Sequence, residues 1–318
     1  MKPDGFAADL LRKPEVLRGL SATLASGNPW AEVVPPDVER VVLLGMGSSA
    51  YAGGVAAARM RARGLVASSE LASSRLLPAW GAGTLVVATS ASGGSVETLD
   101  ALGRLPTEAR VVALTNTPGS AITERSAAMV DLQAELEVGG VACRSYQHTL
   151  ALLMALECHL TGESTDALAD SVAAAADATA HLLSTESDWC PTISELLLGP
   201  SGTHLAAPAH RFCSAQQGAL MLREGPRLPA VGCETGDWSH VDVYLTKTTD
   251  YRLLVFAGSA WEQQLAEWTT ARDSTVVGVG GQVPGAGHEL RYPGDTDDDV
   301  RLLTEVLIPE LVAARAWQ

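Results

Sequence analysis

The chain has 318 residues, 47% of them hydrophobic, which is ample for two globular units and excludes a disordered or fibrous polymer. Thirty-seven acidic residues against twenty-two basic ones leave a net charge of −15, which argues against a nucleic-acid partner, because a phosphate backbone calls for a basic surface. An anionic small molecule would have to be held by local geometry, through oriented N–H groups and hydroxyls.

The opening MKPDGFAADLLRKPEVLRGL sets Asp4 and Asp9 around a brief apolar stretch, which predicts an amphipathic helix and lacks the apolar core of a secretory signal. No run reaches membrane-spanning length, so no membrane partner is expected and the cytoplasm is the expected location. The cysteines Cys143, Cys158, Cys190, Cys213 and Cys233 are odd in number and include no CxxC pair. They predict buried thiols rather than a disulfide framework or a zinc site.

From Val41 the chain alternates short β-branched runs with helical patterns: RVVLLG, SSAYAGGVAAARMRARG, TLVVATS, SVETLDALGRL, RVVALTN, and then AAMVDL and TLALLMALECHL. This rhythm predicts an α/β fold with a mostly parallel sheet, and the continuous apolar strands suit a sheet covered on both faces. Residues 164–199 read as linking helices, SVAAAADATAHLLSTE and PTISELLL. A weaker repeat of the rhythm follows in THLAAP, a helix over about 210–224, RLPAVG, YRLLVFAG, WEQQLAEWTTARD, STVVGVGG and a single terminal helix DDDVRLLTEVLIPELVAARAW. The expected organisation is a helical extension over 1–36, a first domain over 37–163, a linker over 164–199 and a degenerate second copy over 200–318.

Two strand-to-helix junctions of the first domain are rich in glycine and serine. In LLGMGSSAYAGG, Gly45 and Gly47 follow a strand, and Ser48 and Ser49 open a helix. In VVATSASGGSVETL, Ser90, Ser92 and Ser95 surround Gly93 and Gly94, so hydroxyls and backbone N–H groups can wrap one anion at a helix N-terminus without a lysine or arginine. Dinucleotide and Walker loops are poor fits, since residues 45–50 read GMGSSA and no Gly-Lys-Ser/Thr follows a strand.

These segments, with ALTNTPGSAI, resemble the sugar isomerase (SIS) domain, whose signature is a glycine–Ser/Thr–Ser loop, SxSGxT and a T-N-x-x-x-S strand end. The resemblance implies two SIS-type three-layer domains and a second loop that holds the phosphate of a phosphorylated sugar or amino sugar. The residues it assigns to the ligand are Gly47, Ser48 and Ser49 from the first loop and Ser90, Ala91, Ser92, Gly93 and Ser95 from the second. GGVACRSYQHTLALL is similar to the family's G-V-A-S-T-K-x-F/Y-T segment with Arg144 in place of the lysine, which adds Arg144 to that set.

Farther on, SAQQGALMLREGPRLPAVGCETGDWSHVDVY resembles the second domain of double-SIS proteins, the isomerase part of glucosamine-6-phosphate synthase and the fructosamine-6-phosphate deglycases. By that resemblance Glu224 stands at the catalytic glutamate and His240 at the ring-opening histidine. Met221 replaces the lysine that handles the sugar carbonyl, Gln217 a glutamate, and Val241-Asp242 a Gly-Pro pair, so imine chemistry by an enzyme lysine is not expected. FAGSAWEQQ offers one serine, Ser259, before Trp261, so one phosphate pocket per chain is expected.

A carboxylate and an imidazole suffice for ring opening and proton transfer between adjacent carbons, and partial burial of the carboxylate would improve it as a base. The expected function is thus an aldose–ketose isomerase or a fructosamine-phosphate deglycase; the rival reading is a non-catalytic SIS protein that senses a phosphosugar. No cysteine follows Met1 and no helix-turn-helix precedes Val41, so neither a glutamine-dependent synthase nor a DNA-binding regulator is expected. The resemblance further implies a homodimer in which His240 serves a neighbour's pocket. No histidine pairs with Cys or Asp at metal-ligand spacing, and neither a metal nor another cofactor is expected.

Overall fold

The computed structural model describes all 318 residues except Pro36, so the expected boundary at residue 36 lies outside the described residues. Five parallel strands, β1 (Arg40–Gly45), β2 (Ala67–Leu71), β3 (Thr84–Thr89), β4 (Arg110–Thr115) and β5 (Ala128–Asp131), form one sheet in the order β2-β1-β3-β4-β5. Five more, β6 (Thr203–Ala207), β7 (Ala230–Glu234), β8 (Arg252–Phe256), β9 (Thr275–Val279) and β10 (His288–Leu290), form a second parallel sheet in the order β10-β9-β8-β6-β7. Counted from the first strand of each, both sheets have the order second, first, third, fourth, fifth. Helices flank both sheets, as parallel strands require.

The apolar runs of the sequence become the central strands because both of their faces are covered. Every residue of β3 is buried, as are Val41 to Gly45 of β1. One face of the first sheet packs Val42, Leu44, Val86, Ala88, Val111 and Ala113 against Trp80, Leu102 and Ile122. In the second sheet Ala206, Leu253, Val255 and Val276 pack with Trp238, Val243, Tyr251 and Leu265. Two strands escape the sequence pattern. The Ala67–Leu71 stretch reads ASSEL and β10 reads HEL; both are edge strands, half exposed, where an apolar run is not needed. The terminal helix is broken into Asp298–Thr304 and Leu307–Trp317.

The chain divides into two compact units, one of residues 15–137 and 142–173, the other of residues 1–14, 138–141 and 174–318. This cut does not coincide with the expected boundaries at residues 163 and 199. The first helix, Pro3–Leu11, joins the unit of the second sheet rather than extending the first domain: Asp9 accepts hydrogen bonds from the backbone N–H of Val138 (3.1 Å) and Gly139 (2.7 Å). A Cβ on Gly139 would lie 2.5 Å from the Phe6 nitrogen, so the loop can approach this helix only as glycine. Lys13 and Glu310, both fully buried, form an ion pair in the same unit. The linker is not a separate piece either, because its long helix, Asp166–Ser184, spans the cut between 173 and 174. Its N-terminal turn is tied to the first unit, where Thr165 Oγ1 donates to the Leu24 carbonyl (2.6 Å) and Ser21 Oγ to that of Ala169 (2.8 Å).

Four cysteines are buried and Cys158 is half-buried, all as free thiols. No helix among the described residues is long and apolar enough to cross a membrane.

Candidate functional site

In the first sheet the chain passes from β1 outward to β2 and then back past β1 to β3, so the loops after β1 and β3 flank the point where strand order reverses. Open parallel sheets bind ligands at this crevice, beyond the carboxyl ends of the strands. The two loops there are the serine- and glycine-rich ones. After β1, Gly45 is packed so closely that a Cβ would meet Ser49 Cβ at 2.8 Å, and Gly47 takes φ +50° to turn the chain into the helix Ser48–Ala62. Ser48 and Ser49 are half-buried at the N-terminus of that helix, beside an exposed Gly47.

After β3, Ser90 is buried, Ser92 exposed and Ser95 half-buried. Gly93 sits at φ +66°, and a Cβ there would fall 1.9 Å from Ser120 Oγ, so the bend admits no side chain. Its N–H closes the turn onto the Ser90 carbonyl (3.0 Å), and its carbonyl accepts from Ile122 N–H (3.0 Å). The Ala91 carbonyl is held by the Asn116 N–H (3.1 Å), Thr115 Oγ1 (3.2 Å) and Thr117 Oγ1 (3.1 Å), so the end of β4 fixes the loop. Ser95 caps the helix Val96–Arg104, accepting from Thr98 N–H (3.3 Å) and Thr98 Oγ1 (3.1 Å). Gly94 N–H points toward Ser92 Oγ at 3.4 Å, a long and weak contact. The result is a cradle of hydroxyls, amides and a helix N-terminus with no cationic side chain in either loop.

Arg144 departs from its expected place among the ligand contacts. It is 2% exposed, with Nε donating to the Ala134 carbonyl (2.8 Å) and a terminal nitrogen to that of Leu136 (2.7 Å). Its guanidinium therefore shapes the loop after β5. The neighbouring helix N-terminus, Arg144–Thr161, is likewise occupied from within. The Glu137 carboxylate accepts from the backbone N–H of Cys143 (2.7 Å), Arg144 (2.7 Å) and Ser145 (3.1 Å) and from Ser145 Oγ (2.7 Å). Two residues that fix these loops lie outside the expected set: Asn116, which has a signal in the T-N strand end, and Glu137, which reaches across six residues to its helix and leaves none.

Glu224 and His240 belong to the unit of the second sheet. Glu224 ends the helix Phe212–Glu224 and is half-buried; burial pushes its carboxyl above the ordinary glutamate range, against a weaker opposing pull from Arg223. His240 follows a three-residue 3-10 turn, Asp237–Ser239, and is exposed. Met221 is fully buried, with Gln217 Nε2 donating to its sulfur at 3.6 Å, so no amine stands at that position. At the loop after β8, the topological counterpart of the hydroxyl cradle, the buried Glu262 carboxylate accepts from Gly258 N–H (2.5 Å) and Ser259 N–H (2.8 Å). Among the described residues no group of three or more His, Cys, Asp or Glu side chains is placed to hold a metal ion.

Residues 37–157, which carry the first sheet and both hydroxyl loops, match the SIS domain family. Over 265 residues, 76% of its length, the chain is 28% identical to the glutamine–fructose-6-phosphate aminotransferase (isomerizing) of Xanthomonas campestris pv. campestris, and it spans only 41% of that protein. The C-terminal domain of glucosamine-fructose-6-phosphate aminotransferase from Francisella tularensis superposes with a TM-score of 0.81 at 17% identity, covering 98% of this chain and 95% of that one. Tagatose-6-phosphate ketose/aldose isomerase from Escherichia coli superposes with a TM-score of 0.76 at 14% identity, covering 98% and 92%. At these identities the structural likeness speaks for the α/β fold.

Proposed function

We propose that the chain is an enzyme that binds a phosphorylated sugar or amino sugar and moves protons between its first carbons, as an aldose–ketose isomerase or a fructosamine-phosphate deglycase. The observation that carries this reading is the uncharged cradle at the β1/β3 crevice. Ser49, Ser90, Ser92 and Ser95, with Gly47, Ser48 and Ala91 and with Gly93 setting the bend, would offer hydroxyls and amides to a dianionic ester on a protein whose net charge of −15 would otherwise repel it. Glu224 would take the proton from the carbon beside the carbonyl, whose electrons move onto the carbonyl oxygen, and return it to the neighbouring carbon. Its raised proton affinity suits a group that must both accept and release. His240 would pass a proton to or from the ring oxygen. The identical strand order of the two sheets supports a duplicated SIS architecture. The exposure of His240 is what a histidine offered to a neighbouring copy in a homodimer requires.

The alternative of a non-catalytic sensor has support in the buried, amine-free position of Met221. The two are separated by a panel of glucose, fructose, glucosamine and fructosamine 6-phosphates. A ligand at a hundred times its Kd should stabilise the fold by about 2.7 kcal/mol, and NMR in D2O should show deuterium entering C1 or C2. The enzyme reading expects both signals, the first lost in Ser92→Ala and the second in Glu224→Gln. Binding without deuterium uptake for every sugar would leave the sensor, and no stabilisation by any of them would remove both.

A further inference from the structure

His240 lies between two short 3-10 turns, Asp237–Ser239 and Asp242–Lys247. Such turns have poor internal hydrogen bonds and little rigidity of their own, so the direction of an exposed histidine must be set by what its neighbours grip. Two residues before it, Trp238 is fully buried and its Nε1–H donates to Tyr251 Oη at 2.8 Å, with the two rings edge to face at 6.2 Å. Tyr251, 2% exposed just before β8, stacks on His204 of β6 with ring centroids 4.2 Å apart. Two residues beyond His240, Asp242 lies within electrostatic reach of His204 and Tyr251, and its Oδ2 is buried. The segment before His240 is thus anchored, through Trp238, on one pair of stacked rings. At three residues per turn, the side chain two positions after the buried tryptophan is carried two thirds of a turn round, and His240 is exposed.

Resting on the catalytic reading of His240, we infer that Tyr251 and His204 are positioning residues, an aromatic clamp that holds the 237–247 segment so that His240 is presented in one orientation. Burial lowers the proton affinity of the His204 ring and raises that of Asp242, and the contacts that hold the clamp are the ring stack and the Trp238–Tyr251 hydrogen bond.

The test is Tyr251→Phe, which keeps the ring and its stack and leaves the Trp238 N–H unpaired. With the best substrate of the panel, kcat is expected to fall about ten-fold with KM within two-fold of wild type, since misplacing a reacting group costs rate more than binding. The thermal shift given by sulfate should be unchanged. The double variant Trp238→Phe/Tyr251→Phe removes donor and acceptor together and should regain part of the lost thermal stability while kcat stays low. Recovery of kcat along with stability would make the clamp merely structural and overturn the inference. So would a wild-type kcat in Tyr251→Phe when His240→Ala is inactive. Full activity in His240→Ala would instead overturn the assigned role of His240, and the clamp's with it.

Discussion

Gly93 shows how tightly a single residue can specify the cradle. Its left-handed backbone and the 1.9 Å approach of Ser120 Oγ both forbid a side chain. Gly93→Ala should therefore cost roughly 1–3 kcal/mol in urea unfolding and, through displacement of the 90–95 loop, abolish the phosphosugar thermal shift. Glu224 carries a pH signature. Because burial raises its proton affinity in the folded state, it favours folding below the unfolded-state pKa and that contribution is lost as pH rises through the folded one. Glu224→Gln should consequently raise Tm at pH 7 and converge with wild type in acid, while turnover falls by about 10²–10⁴-fold. The acid limb of the wild-type rate profile should lie above the usual glutamate range.

Among the elements, the helix Arg144–Thr161 depends on Glu137, whose carboxylate gathers four donors at its N-terminus. Glu137→Ala should lower stability by about 1–3 kcal/mol, and Glu137→Gln by less, as read from the urea midpoint. How far such elements are legible depends on where their partners lie. The strands β1, β3 and β4 announce themselves as unbroken apolar runs because both faces are covered, and the loops that follow β1 and β3 through glycines and serines needed by their own turns. The Ala67–Leu71 strand gives no such sign, since its pairing comes from β1 and its side chains reach solvent. Arg144 joins the expected ligand set through the resemblance of its segment, whereas only the folded path of residues 134–136 brings two carbonyls to its guanidinium. The clamp under His240 joins residues 204, 238 and 251, from separate elements, and so leaves no local pattern.

At the scale of the whole molecule, the unit of the second sheet gathers residues from three separate stretches of chain, and a buried ion pair joins two of them. Lys13→Met would remove the buried ammonium that pairs with the Glu310 carboxylate, at a cost of about 3–5 kcal/mol. Adding Glu310→Leu should recover most of that loss, and urea titration of both variants checks it. The two sheets also differ in what their amides face. After β8, the N–H groups that would greet a visitor already hold the carboxylate of Glu262, the first residue of the helix that follows. The second sheet thus carries its own permanent guest, and saturation should come at a single equivalent of ligand per polypeptide. That sheet is free to serve as scaffold and as bearer of side chains, having surrendered its own vacancy to a glutamate.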